Sequence, residues 1–254
     1  HFQYIQQGLD HSIPMYIEKP LVSSRADLIS LLEIISCKPE LPITQCGCNL
    51  RFLPSLQNLK TLIDNGHVGR IVRASFESGQ WLPDWRPDQD YRVSYSANPN
   101  EGGGVCLDLM HEVDMALWLL GPMTLLSAYN ACSQSLDIRS ESVSCSLLKT
   151  IEHTAVQISL DYVARVPIRR YTIVGEKGSL IWDLQHQQLL FQGPDFTKII
   201  DDRPSSFNIP NSYRTAHETF LSSIFENAEM VQPIHQGILS TSLALDIKEF
   251  CHHP

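Results

Sequence analysis

Ile168-Arg169-Arg170-Tyr171-Thr172-Ile173-Val174-Gly175-Glu176-Lys177-Gly178-Ser179-Leu180-Ile181-Trp182-Asp183 reads as two strands folded on a short turn. β-branched and aromatic residues fill both arms, and Gly175 to Gly178 supplies the hairpin turn between them. Working outward, strand-like runs recur at Leu125 to Ala131, Ser142 to Leu148 and Thr154 to Tyr162, and again at Gln188 to Phe191. Gly69 to Ser78 alternates in the same way. Consecutive strands without helices between them predict a large, mainly antiparallel sheet. Asp195 to Asn211 reads as a Pro-containing loop. Helical spacing predicts Thr215 to Asn227 and Gly237 to Phe250 as amphipathic helices.

The first 48 residues have a different rhythm. Phe2 to Leu9 reads as a helix, Pro14 to Ile17 as a short apolar strand, and Arg25 to Ser36 as a helix that Ser23 or Ser24 caps. Ile43 to Cys48 is the next strand. Helix, strand, helix, strand gives an α/β layer that is incomplete by itself. A helix from Leu53 to Asn65 leads into the sheet region. The expected architecture is thus an α/β fragment followed by an open α+β sheet with helices on one face.

The chain has 254 residues, 43% of them hydrophobic, enough for one large domain or one and a half. Its net charge of −9 argues against nucleic acid or an anionic membrane surface as the main partner. The uncharged stretch Met115 to Leu136 is long enough to span a bilayer, but Gly121-Pro122 interrupts it, so a helix followed by a strand is expected. Seven irregularly spaced cysteines, Cys37, Cys46, Cys48, Cys106, Cys132, Cys145 and Cys251, fit free thiols in a reducing, cytoplasmic protein. Cys46-Gly47-Cys48 lacks the spacing of a zinc site and reads as strand packing. His252-His253 reads as an exposed terminus.

Val105 to Leu120 is apolar nearly all round, which predicts a buried helix. Asp108 and His111 nevertheless sit in it, three residues apart. Two readings stand side by side: a satisfied structural pair, or two groups facing a cleft. No third ligand accompanies them, so no metal is expected. Asp114 reads as structural, bonded to nearby backbone. Gly102-Gly103-Gly104 is not a dinucleotide fingerprint, since no strand leads into it and no acidic residue follows at the right distance. Lys19 ends a parallel strand, the place where open α/β sheets bind ligands. The Lys19-Pro20 bond is a candidate for cis. The long segment Gln80 to Asn100 carries Trp81, Trp85, Arg86, Tyr91 and Arg92, whose rings and guanidiniums suit sugar rings or anionic groups.

At these residues the chain resembles the Gfo/Idh/MocA oxidoreductase family. Glu18-Lys19-Pro20-Leu21 is similar to the family's Glu-Lys-Pro motif, and Asn49-Leu50-Arg51-Phe52-Leu53-Pro54 to its Asn-x-Arg-Phe-x-Pro segment. Gly69-Arg70-Ile71 follows. Gly102 to Gly104, then Asp108, His111, Asp114 and Trp118-Leu119-Leu120-Gly121, resemble its glycine-led catalytic helix. Asp108 and His111 are three apart where many members have four, a spacing that some relatives share.

The resemblance implies that residues 1–48 are the C-terminal remnant of a Rossmann domain. Residues 49–254 would then be a substrate-binding and oligomerisation domain. The glycine fingerprint, roughly eighty residues of the first βαβ units, has no counterpart here. It further implies NAD or NADP as cofactor, held in part by Glu18, Lys19 and Pro20. A sugar or polyol would be the substrate, contacted by Asn49, Arg51, Trp85, Arg86, Tyr91 and Arg92. His111 would be the general base, Lys19 would stabilise alkoxide charge, and Asp108 would orient. A homodimer or homotetramer would form through the open sheet. The alternatives are a non-catalytic NAD- or sugar-binding regulator on the same fold, or an inactive truncated fragment. A chain without the fingerprint is expected to be inactive alone.

Overall fold

The computed structural model describes residues 1–250; Cys251 and the His252-His253 pair lie outside the described residues. Two sheets organise the chain. In the first, β1 (Met15–Ile17) and β2 (Thr44–Cys46) pair in parallel with Tyr16 opposite Gln45. Helix α1 (Phe2–Asp10) precedes them and α2 (Arg25–Ser36) connects them. The Ser24 hydroxyl accepts from the Asp27 amide at 3.2 Å, which satisfies one orphan donor at the start of α2. A 3₁₀ turn at Asn49–Phe52 leads into α3 (Pro54–Asp64), whose first position is a proline.

The second sheet has eight strands: β3 (Ile71–Gly79), β4 (Met123–Ala131), β5 (Val143–Thr150), β6 (Ala155–Asp161), β7 (Ile168–Gly175), β8 (Gly178–Asp183), β9 (Gln188–Gln192) and β10 (Thr197–Asp201). Their order is β10-β9-β8-β7-β3-β6-β5-β4. Every neighbouring pair is antiparallel except β3 and β6, which run parallel with Phe76 opposite Ile158. Val156, Ile158 and Leu160 are buried, while Ala155 and Gln157 on the other face are exposed and Ser159 is half-buried. A one-residue slip would exchange those faces and cost roughly 5 kcal/mol or more in lost burial. The buried face lies under α4 (Val105–Asp108) and α5 (His111–Leu120); the other face is open.

Two helices follow among the described residues, α6 (Ile209–Phe225) and α7 (Ile234–Lys248). The last segment returns to the first sheet. The Cys46 amide donates to the Gln232 carbonyl at 2.9 Å, and the Ile234 amide to Thr44 Oγ1 at 2.9 Å. The α/β layer read from residues 1–48 is therefore closed by residues from the far end of the chain.

Four expectations need correction. Thr197–Asp201 is an edge strand inside a segment read as loop; the β-branched run Thr197, Ile199, Ile200 pairs with β9. Helix α6 starts at Ile209 rather than Thr215. Asn208 caps it, accepting from the Asn211 amide at 3.1 Å, and Pro210 sits in the first turn, where its missing N–H leaves no gap. Helix α7 likewise starts at Ile234, directly after Pro233. The single helix expected over Val105 to Leu120 is broken into α4 and α5 at Leu109 and Met110. Gly121-Pro122 separates α5 from β4, and among the described residues no helix is long and apolar enough to cross a membrane.

Candidate active site

Lys19 leaves the carboxyl end of β1 and precedes a cis peptide bond to Pro20. Its ammonium reaches the break between α4 and α5 and donates to the Asp108 carbonyl at 2.6 Å. The break is what makes that oxygen useful. At this point the Glu112 amide bonds to Leu109, three residues back, and the Asp108 carbonyl takes the lysine. An ammonium has three donors, so two remain for a ligand. Burial pulls the Lys19 amine down from its ordinary value, and the Asp108 charge opposes that shift.

Asp108 and Lys19 both line a cleft of about 470 Å³, together with Glu18, Pro20, Ser23, Tyr95, Glu101 and Gly102. Gly102 has φ +81°, and a Cβ there would come within 2.6 Å of the Ser23 side chain, so this wall requires glycine. The Asp108 carboxylate is not alone. Tyr162 donates its hydroxyl to Oδ2 at 2.6 Å. Burial, then the Asp108 charge, pushes the Tyr162 phenol well above its ordinary value, so it stays a donor.

His111 opens α5 and is 8% exposed. Its Nδ1 is buried without a hydrogen-bond partner. Burial pushes the imidazole well below its ordinary value, and the nearby Lys19 and Arg169 charges add to the effect. A neutral imidazole is a proton acceptor in waiting. His111 is not among the residues that line the cleft, whereas the sequence placed all three groups across it. Close to it, Arg169 on β7 pairs with the fully buried Glu112 at 2.8 Å, and Tyr171 donates to the same carboxylate at 3.1 Å. Burial pushes the Glu112 carboxyl up, and Arg169 holds it down.

The other expected contacts divide. Glu18, Lys19 and Pro20 line the cleft; Asn49, Arg51, Trp85, Arg86, Tyr91 and Arg92 do not. Asn49 is buried and donates to Ser212 Oγ at 2.8 Å. Arg51 is 3% exposed and grips Asp114 with two bonds of 2.8 and 2.7 Å. Asp114 also accepts from Ser240 and Gln232, so its partners are side chains and not the nearby backbone first expected. The reason is burial: a carboxylate with no exposure needs full-strength partners, and Arg51 supplies a bidentate one.

Trp85 packs edge-on against the Tyr162 ring at 5.3 Å, and Tyr91 is half-buried against the core. Arg86 lies over the Tyr95 ring at 5.3 Å, and Arg92 is exposed and folded back onto Asp90 at 2.7 Å. The long loop reaches the cleft through Tyr95 instead, and Glu101 and Gly102, which follow it, line the cleft too. Tyr95, Tyr162, Glu112 and Arg169 were not singled out from sequence. Only Arg169 left a signal: it shares its strand face with Tyr171 and Ile173, which are buried.

A nicotinamide dinucleotide fits this chain at one end only. The cleft beyond β1, with an ammonium, a carboxylate and a glycine wall, suits a small polar ring and a hydroxylated substrate. No glycine-rich turn for a pyrophosphate occurs in the chain. Among the described residues no group of side chains is arranged to hold a metal ion.

Residues 56–181 match the family model for the GFO/IDH/MocA C-terminal domain. The chain is 25% identical over 122 residues to inositol 2-dehydrogenase of Gluconacetobacter diazotrophicus, a match covering 47% of this chain and 32% of that protein. The chain thus spans about a third of the length of the curated relatives it matches. Among solved structures, levoglucosan dehydrogenase in complex with NADH and levoglucosan superposes with a TM-score of 0.83 at 16% identity, over 97% of this chain and 74% of that one. An inositol dehydrogenase homologue complexed with NAD+ from Azotobacter vinelandii superposes with a TM-score of 0.77 at 15% identity, over 96% and 72%. At these identities the two structures share the fold.

Proposed function

The chain carries a C-terminal domain of the GFO/IDH/MocA family, and on that footing we propose that it is the substrate-facing part of an NAD(P)-dependent oxidoreductase acting on a CH–OH group of a sugar or polyol. The observation that carries the reading is the Lys19 ammonium bonded to the Asp108 carbonyl at a cleft, with a neutral imidazole close behind. NAD(P)+ would supply the hydride acceptor, with Glu18, Lys19 and Pro20 at its nicotinamide end. His111 takes the hydroxyl proton as the carbinol becomes a carbonyl. Lys19 donates to the oxygen on which charge develops. Asp108 orients the substrate through a neighbouring hydroxyl. The division into a partial Rossmann domain, residues 1–48, and a substrate-binding and oligomerisation domain, residues 49–254, belongs to the same proposal.

The relatives support the substrate class, because they bear the names of inositol and levoglucosan dehydrogenases. The test is NADH formation by protein that includes a complete dinucleotide-binding domain, offered inositol and levoglucosan. His111→Ala is expected to lower turnover by about 10²- to 10⁴-fold. The non-catalytic alternative draws on one observation, that His111 does not line the cleft. Wild-type turnover in His111→Ala, or tight sugar binding without any turnover, would favour it.

A further inference from the structure

We propose that Tyr162 is the positioning residue for Asp108, fixing which carboxylate oxygen meets the substrate. This rests on the dehydrogenase reading of the cleft. Tyr162 follows the last residue of β6, and its backbone is tied on both sides. Its amide donates to Ser142 at 2.8 Å, and its carbonyl accepts from Leu82 at 3.0 Å. Its ring is fully buried and meets the edge of Trp85. A phenol so held has little freedom, and it delivers its hydrogen to Asp108 Oδ2 at 2.6 Å.

Asp108 needs such a restraint because it sits at a helix break. It is the last residue of α4, so the regular turn that would fix its backbone ends there. Lys19 holds the carbonyl and Tyr162 holds the carboxylate. Tyr162 thereby sets the rotation of the carboxylate, and Oδ1 is the oxygen whose sites Tyr95 and a substrate hydroxyl would share. Tyr95, which lines the cleft, lies within hydrogen-bonding reach of the same carboxylate. The arrangement also links the long loop to the site, since Trp85 and Leu82 both belong to that loop and both touch Tyr162.

The experiment is a double-mutant cycle with Tyr162→Phe and Asp108→Asn in protein that includes a complete dinucleotide-binding domain. The phenylalanine keeps the ring against Trp85 and removes only the hydroxyl. Initial rates with NAD+ and inositol or levoglucosan give kcat and KM; thermal melting gives Tm. Tyr162→Phe is expected to raise KM roughly ten- to a hundredfold, as loss of a hydrogen bond to a charged group does, with a smaller change in kcat. In the Asp108→Asn background the same substitution is expected to leave KM nearly unchanged. If Asp108→Asn is too slow to assay, the dissociation constant of the same polyol from the NADH-loaded variants replaces KM. Equal effects in both backgrounds, or a lowered Tm with KM unaltered, would overturn the role of Tyr162 and leave the dehydrogenase reading standing. No NADH formation by wild-type protein with either polyol would remove that reading, and this inference with it.

Discussion

The ammonium of Lys19 and the backbone carbonyl of Asp108 lie 2.6 Å apart, although 89 residues separate them in the chain. One comes from the small parallel sheet, the other from the break in the helix that covers the large one. The bond therefore ties together the two layers whose meeting forms the cleft. It uses one of three donors and fixes the direction of the rest.

That tie makes Lys19→Met informative. Methionine keeps the length of the side chain and removes the charge. The variant is expected to lose about a hundredfold or more in kcat/KM, the usual cost of deleting a donor to developing negative charge. Its Tm is expected to fall little or to rise, because burying an ammonium is unfavourable in itself. NADH formation and thermal melting check both, and near-wild-type kcat/KM would speak against Lys19 as the alkoxide partner.

His111 gives the chain a pH-dependent stability of definite sign. Its folded value lies below the ordinary 6.5, so the unfolded chain takes up the proton first. Above about pH 6.5 both states are neutral and the group contributes nothing to the slope. As pH falls through that value, the unfolded state gains protons that the folded state refuses, and stability drops until the folded imidazole also titrates. His111→Gln should flatten this part of the profile. The measurement is Tm from pH 8 down to 5 for both proteins, and parallel curves would contradict it.

How much of this was legible in the sequence follows from which forces act locally. The hairpin at Gly175 to Gly178 and the strands around it could be read, because alternation and turn chemistry are local signals. The parallel pairing of β3 with β6 could not, since those strands are brought together by the order of the sheet and not by any turn between them. Proline misled once: Pro210 fell in a segment read as loop but sits in the first turn of α6, where proline is welcome. At the site, Asp108 could be picked out because a carboxylate in an apolar helix demands an explanation, and Lys19 because it ends a parallel strand. The helix break could not, because its other half is a lysine 89 residues upstream. The Arg51–Asp114 pair escaped the sequence reading for the same reason: the two residues are distant in sequence.

Arg51 and Asp114 are expected to act on stability. Both are buried, and the pair is bidentate. Arg51→Met would strand the Asp114 charge and cost about 3–5 kcal/mol, read as a lower urea midpoint. The double variant Arg51→Met, Asp114→Leu is expected to recover much of that loss, since neither charge then remains. A loss below about 1 kcal/mol for the single variant would show that the pair is not isolated from water in the way its burial indicates.

Cofactor binding separates the chain from a protein with the full fingerprint. A ligand that binds the folded state a hundredfold above its dissociation constant stabilises by about 2.7 kcal/mol. On the proposed reading the 254 residues hold Glu18, Lys19 and Pro20 at the nicotinamide end and no glycine-rich turn for the pyrophosphate, so NAD+ or NADH is expected to leave their Tm unchanged within error. A clear shift by differential scanning fluorimetry would mean that the binding determinants lie in these residues after all.

The open face of the large sheet leads to the last prediction. Across it, Ser127, Leu147, Gln157, Ser75, Thr172, Ile181, Leu190 and Ile199 stand side by side, one from each strand, without a charge in the row. Leu147 is 45% exposed and Ile199 52%. A sheet face of this kind is solvated in a monomer or covered by a second copy. The proposal of a homodimer or homotetramer through the sheet requires the second. Leu147→Glu would then bury an unpaired carboxylate at the contact, which costs several kcal/mol and outweighs what one leucine contributes. Sedimentation equilibrium is expected to show an oligomer for wild-type protein and a monomer for Leu147→Glu with an unchanged far-ultraviolet spectrum. A monomeric wild type, or a variant that still associates, would rule out this face as the interface, because no rearrangement of the row can remove a charge fixed on β5.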